Sequence, residues 1–469
     1  MALPNTSHGV TKIAAMLTGK KKLWFIGIGG IHMATMALLA AKKGYVVSGS
    51  DRAAGEGTAR LLAAGIPVYF GHDAARVIDA DAVIYTLAIS PDNPEYTAAQ
   101  RLGIPVFSRA DFLAFLMHGH PVRIGVAGSH GKSTVTAMLA EIFTMAGRAP
   151  SVFCGAPLRH AAPPTGEGRE VIFEACEYED SFLRFSPTLA VILNVGLDHV
   201  DYFPSLDAVR SSFARYASLV GGSGTVLCNA EDATALSCVQ NSDARVCTFG
   251  VKTGDYHADA LTFDQGCGRF VPVLPDGSHL GQIVLRVSGR HNVANALAAL
   301  AAAHLCGVSG GAIQNGLCAF RGAGRRMEYR GMLRGARLFD DYAHHPAEIV
   351  ATLAAARQML GEGGRLFAVF QSHTYSRTAT FFGEICDALR QADRVLVADI
   401  YAARESDTLG MSAAMIAAGV GDIASAPGDL SAIAATLSRE LDAGDLCVVM
   451  GAGDIDRLFT EIFTKHFTL

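Results

Sequence analysis

Residues 125–136 read Gly-Val-Ala-Gly-Ser-His-Gly-Lys-Ser-Thr-Val-Thr, a spacing suited to holding a triphosphate. Gly128 and Gly131 let backbone amides close around an oxyanion, and Lys132 adds a positive point charge. The hydroxyl of Ser133, at the start of a helix expected from about Thr134 to Met145, can ligate Mg²⁺ while the helix N-terminus faces the phosphates. Val126 stands where the usual motif has its first glycine, so the competing reading is a strand-turn-helix loop that needs glycine for backbone reasons alone. Lys132 is the only lysine between Lys43 and Lys252, which puts the one ammonium of a lysine-poor stretch directly after the glycines.

Three other constellations carry chemistry. Gly27-Ile28-Gly29-Gly30-Ile31-His32 has the form of a dinucleotide-binding turn, with Asp51 at the distance that meets a ribose. His32 stands at the third glycine of that fingerprint and can donate to a diphosphate. Glu174-Ala-Cys-Glu177-Tyr178 and Asp198-His199-Val-Asp201 each follow an apolar strand. A carboxylate and an imidazole from neighbouring strand ends, beside a phosphate loop, can hold Mg²⁺ on the β- and γ-phosphates. Farther on, Asp340 to Pro346 and Phe370 to Thr378 each follow a strand. His344 and His345, adjacent on a strand, point to opposite faces and are poor joint ligands of one metal. His373 and Arg377 suit a small carboxylate, the arginine by bidentate pairing.

Such residues must be positioned by strands that alternate with helices, so the fold class is α/β with parallel sheets. At about 150 residues per domain, 469 residues suggest three. The expected division is an N-terminal Rossmann-like domain over 1–120, a central P-loop ATPase-type parallel sheet over 121–323, and a C-terminal Rossmann-like domain over 324–469. The segment 255–283 alternates in a way that suggests inserted antiparallel strands, and Gly322 to Gly324 form the expected joint. Half of the residues are hydrophobic and 18% are charged, a globular composition; the net charge of −5, without a basic run beyond Lys20 to Lys22, gives no nucleic-acid surface. Ten cysteines scattered without a CxxC pair read as thiols in a reducing compartment. With no membrane-length apolar run and no leader pattern, the expectation is a cytoplasmic protein with no membrane partner.

In order and spacing, these segments resemble the ATP-dependent Mur ligases of bacterial cell-wall synthesis, over nearly the whole chain. The carriers are Gly27 to Gly30, Ser48 to Asp51, Ala88 to Ser90 with Asn93 to Glu95, Arg109 to Asp111, Gly128 to Ser133, Glu174 to Phe182, Asp198-His199, Gly289 to Asn292 with Asn295, Gly324 to Arg326, Asp340 to Pro346, Phe370 to Thr378 and Gly451 to Asp454. The resemblance also accounts for Val126, since the family has a shortened glycine loop. It implies ATP and Mg²⁺ as cofactors and, for the alanine-adding branch that Phe370 to Arg377 resembles, UDP-N-acetylmuramate and L-alanine as substrates, in a monomer or weak homodimer. By the same resemblance Lys132, Glu174 and His199 are catalytic, and Ser133, Glu174 and His199 ligate the metal. ATP contacts fall to Gly128, Ser129, His130, Gly131, Lys132, Ser133, Thr134, Asn292, Asn295, Arg326 and Asp341. The UDP-sugar falls to Gly27, Gly29, Gly30, His32, Ser50, Asp51, Ser90 and Asn93, and the amino acid to His345, His373 and Arg377. The family has glycine at position 32 and an acidic residue at 196; His32 changes the diphosphate turn and Gly196 removes a carboxylate near the metal. Three alternatives stand beside this expectation: a relative that kept the fold and lost turnover, a tripeptide-recycling member of the family, and a nicotinamide-dependent oxidoreductase resting on the first glycine turn alone.

Overall fold

The computed structural model describes residues 8–158, 166, 168–200, 202–403, 405–407 and 409–466. Five short strands, β1 (Lys22–Ile26), β2 (Val46–Asp51), β3 (Val68–Phe70), β4 (Ala82–Tyr85) and β5 (Val106–Ser108), form a parallel sheet in the order 3-2-1-4-5. The order reverses beside β1, so a crevice opens where the Gly27 to Gly30 turn leads into the Ile31–Lys42 helix.

The second sheet is also parallel. β6 (Val122–Ala127), β7 (Ser151–Phe153), β8 (Glu170–Glu174), β9 (Leu189–Ile192), β10 (Thr225–Asn229) and β11 (Arg245–Phe249) run in the order 11-10-9-6-8-7. β6 lies between β8 and β9, so the segments leaving the C-terminal ends of these three strands converge. The Lys132–Met145 helix that follows β6 is buried from Ser133 to Phe143, being packed between its sheet and the helices Arg290–Leu305 and Gly310–Ala319. In sequence between β11 and the Arg290–Leu305 helix, β12 (His257–Asp264), β13 (Cys267–Val273) and β14 (Ile283–Ser288) make the expected antiparallel insertion.

In the third sheet, β15 (Glu328–Leu333), β16 (Ala336–Asp341), β17 (Leu366–His373), β18 (Arg394–Tyr401), β19 (Ala424–Gly428) and β20 (Leu446–Met450) run 15-16-20-17-18-19. All pairs are parallel except β15 with β16. β16 and β17 flank β20, which brings Asp341 and His373 to strand ends on either side of it. The strands buried on both faces, such as β9, β20 and the Leu366 to Phe370 part of β17, are continuous apolar runs, as a sheet covered by helices on both sides requires. No helix among the described residues is long and apolar enough to cross a membrane.

Candidate active site

The phosphate loop is shaped by two glycines in conformations that other residues avoid. Gly128 has φ +147° and Gly131 φ +89°, and a Cβ on Gly131 would stand 2.7 Å from Asn295 Oδ1. No side chain caps the helix that follows, and its first turn holds no acidic residue, so its free N–H groups face outward to an anion. Asn194, just beyond β9, clamps the loop: its carboxamide accepts from His130 N–H at 2.8 Å and donates to His130 C=O at 3.0 Å. Ser129 Oγ accepts from Gly196 N–H at 2.9 Å.

Lys132 is drawn inward. Its Nζ donates to Gly128 C=O at 2.5 Å and pairs with Glu177 at 3.1 Å, both side chains being largely buried. Burial would lower the ammonium pKa, and Glu177 more than offsets that, so the lysine stays charged. His199, with φ +51°, presents Nε2 at 3.6 Å from the same Glu177 carboxylate. Its pKa lies below the usual value, because burial outweighs Asp198 and Glu177. Asp198 accepts from Arg377 of the third domain at 2.6 Å. Burial alone would raise the Asp198 carboxyl, but His199 and Arg377 hold it well below the usual carboxylate range.

These groups face a cavity of about 780 Å³ lined from all three sheets' domains: Ile31 from the first, Lys132, Glu174 and His199 from the second, His373 and Arg377 from the third. A smaller cavity of about 330 Å³ adjoins it and takes in Asn292, Asn295 and Asp341, with Arg326 lining both. A separate pocket of about 700 Å³ lies in the first domain against Gly27, Gly29, Gly30, Asp51, Ser90 and Asn93.

Comparison with known proteins decides what this arrangement belongs to. Three family models match in succession: "Mur ligase family, catalytic domain" over 22–121, "Mur ligase middle domain" over 126–303 and "Mur ligase, glutamate ligase domain" over 325–453. The UDP-N-acetylmuramate–L-alanine ligase of Clostridium tetani is 38% identical over 93% of this chain and 96% of its own length. That of Caldanaerobacter subterraneus is 39% identical over 93% and 95%. The chain belongs to the Mur ligase family. Among solved structures, the UDP-N-acetylmuramate-alanine ligase of Thermotoga maritima superposes with a TM-score of 0.79 at 29% identity, covering 95% of this chain and 99% of that one. A murein peptide ligase from Psychrobacter arcticus shares the fold, with a TM-score of 0.70 at 23% identity and coverage of 95% and 99%.

Most of the site residues that the Mur ligase resemblance implied reach one of the three cavities, and four do not: Gly128, whose carbonyl accepts from Lys132 Nζ at the base of the loop, and His32, Ser50 and His345. His32 turns away from the first-domain pocket: its Nδ1 accepts from Arg109 at 2.7 Å, and burial with the neighbouring guanidinium lowers its pKa to about 4. Ser50 is fully buried and bonds Glu95 and His72 beneath the pocket. His345 caps the Pro346–Met359 helix and packs its ring on Phe381, while His344 beside it faces the large cavity. Both histidines lie beyond the end of β16, not on the strand as the sequence reading had them, so the alternation argument does not apply to them. Asp51 lines its pocket, but its carboxylate already accepts from Gly29 N–H at 2.8 Å. Asp201 lies outside the described residues.

Two residues with no assigned role prove central. Glu177, three positions after Glu174, is the carboxylate that meets both Lys132 and His199, whereas Glu174 accepts from Gly155 N–H. Asn194 carries no motif, and its only sequence signal is its place at an apolar strand's end. Among the described residues no three His, Cys, Asp or Glu side chains are grouped to hold a metal. A Ser133 hydroxyl with one carboxylate and an imidazole fits Mg²⁺ nonetheless, since that ion keeps few protein ligands and is completed by water and substrate phosphates. Gly196 is open, with only Ser129 Oγ, at 3.7 Å, near a Cβ built there.

Proposed function

We propose that this Mur ligase joins L-alanine to the carboxylate of UDP-N-acetylmuramate, with ATP converted to ADP and phosphate, in peptidoglycan precursor synthesis. The observation that carries the reading is the meeting of Lys132, His199 and Arg377 at one cavity, in a chain about 38% identical over nearly its whole length to ligases of that name. We assign the first domain (1–120) to the UDP-sugar, the central domain (121–323) to ATP and the third (324–469) to the amino acid. A cytoplasmic location goes with these substrates.

The chemistry follows from the charges. An oxygen of the sugar carboxylate attacks the γ-phosphorus and ADP departs, leaving an acyl phosphate. The alanine amine then attacks the acyl carbon, the amide forms, and phosphate leaves as the nitrogen gives up its proton. Lys132 and the amides of Gly128 to Ser133 neutralise the charge that develops on the transferring phosphoryl group, which is positioning and electrostatics more than covalent work. Ser133, Glu174 and His199 hold Mg²⁺, with Glu177 orienting both Lys132 and His199. The ion supplies charge neutralisation on the phosphate oxygens. Asn292, Asn295, Arg326 and Asp341 hold the nucleoside end of ATP, and Gly27, Gly29, Gly30, Asp51, Ser90 and Asn93 the UDP moiety. Arg377, with His373 and His344 beside it, receives the alanine carboxylate.

The test is phosphate release by the purified protein. Release that requires ATP, Mg²⁺, UDP-N-acetylmuramate and L-alanine together supports the reading, and equal release without an amino acid refutes it. A panel of L-alanine, L-serine and glycine reads the preference, and the tripeptide as acceptor separates the recycling branch.

A further inference from the structure

A carboxylate with no role so far, Glu348 on the Pro346–Met359 helix of the third domain, lines both the large and the small cavity. Its Oε1 lies 3.1 Å from Nδ1 of His130 in the phosphate loop, 218 residues away in sequence. Its Oε2 lies 3.3 Å from His344 Nδ1, and Arg326 Nη1 stands 3.8 Å from Oε1. The side chain is only 12% exposed. Burial would raise its pKa, but His344, His130 and Arg326 hold the carboxyl well below the usual range, so the charge is present. Asn194 holds the His130 peptide from the central sheet, and Glu348 holds its ring from the third domain.

We propose that Glu348 is a positioning residue that ties the phosphate loop to the third domain, so that seating of this domain sets His130 and aligns Arg326 and His344 along the reaction cavity. ATP held by the loop and the amino-acid domain thereby favour one another's bound arrangement, through one carboxylate and its three basic neighbours. Glu348 also closes a capping box by accepting from the His344 and His345 amides at 3.2 and 3.4 Å. A glutamine keeps that backbone role and removes the charge, which separates the two functions.

The inference rests on the ligase reading for its kinetic arm alone. Wild type, Glu348→Gln, His130→Ala and the double variant are compared by alanine-dependent phosphate release with ATP varied, by calorimetry with Mg-ATP, and by thermal melting. Each single change is expected to raise KM and Kd for ATP about tenfold, with KM for the UDP-sugar and the melting midpoint of the Gln variant near wild type. The double variant is expected to be no worse than the poorer single one, because both remove the same bridge. Wild-type ATP affinity in Glu348→Gln, or strictly additive losses in the double variant, overturns the proposal. If Glu348→Gln does not fold, His130→Ala decides alone, and unchanged ATP affinity there also overturns it. A wild-type protein that binds ATP but ignores alanine refutes the ligase reading, while the calorimetric comparison still judges the bridge.

Discussion

Replacing Lys132 by alanine removes more than a catalytic charge. Glu177 is only 2% exposed and pairs with Lys132 at 3.1 Å, so Lys132→Ala strands a buried carboxylate whose remaining basic neighbour, His199, stands at 3.6 Å. Breaking a buried pair from one side costs about 3–5 kcal/mol. For a unit of the central domain's size this lowers its melting transition by on the order of 10 °C. The same change takes a cation from the transferring phosphoryl group, and turnover should fall by at least about 10²–10³-fold. Adding Glu177→Gln to Lys132→Ala removes the stranded charge, so most of the melting temperature should return while activity does not. The UDP-sugar pocket shares no lining residue with the cavity at Lys132, so UDP-N-acetylmuramate affinity should stay within about twofold throughout. Calorimetry for melting and sugar binding, with phosphate release for turnover, measures all three quantities. A double variant that regains activity, or a single one that loses sugar binding together with turnover, refutes the reasoning.

Gly131→Ala forces a side chain into a left-handed position and to 2.7 Å from Asn295 Oδ1, so ATP binding should weaken at least about tenfold, as calorimetry would show; unchanged affinity would disprove the loop's role. Burial lowers His344, His345 and His373 to about 4, and the unfolded chain takes up those protons near 6.5. Folded stability is therefore complete above about pH 6.5 and falls as pH drops toward 4, then levels off for these groups; melting series across that window check it. Gly196→Asp meets only Ser129 Oγ at 3.7 Å, so it should leave the melting temperature unchanged, and any change in KM for Mg²⁺ reads the effect of the restored carboxylate.

The central motif was legible because everything it needs is local. An apolar strand, two glycines, a lysine and a hydroxyl within twelve residues specify a strand, a turn and a helix start, and β6, from Val122 to Ala127, leads directly into that turn. Some short or marginal strands were not legible. β3 and β7 have three residues each, and β15 leaves Tyr329 and Met332 exposed, so none shows a clear period of its own. Glu174 and Glu177 could not be ranked from their spacing, because β8 ends at Glu174 and the chain runs on without regular structure through Glu177, so no strand or helix period sets which carboxylate meets Lys132.

What the motifs lacked was each side chain's partner on a distant element, in two of three cases in another domain. His32 is turned by Arg109, 77 residues on, Asp198 is held by Arg377 at a separation of 179, and His130 by Glu348 at 218. In each case a strand end or helix start supplies the backbone position, which the alternation of apolar and turn residues encodes, while the direction of the side chain comes from a charge on a different element. The active-site cavity is therefore a property of docking: Asp198 with Arg377 and His130 with Glu348 are two bridges from the central to the third domain, the first beside the proposed amino-acid site and the second beside the phosphate loop. Two bridges at separate points of one cavity constrain the seating of the third domain more than either does alone. Loss of either bridge should accordingly impair the reaction more than it impairs the binding of whichever substrate lies at the other end.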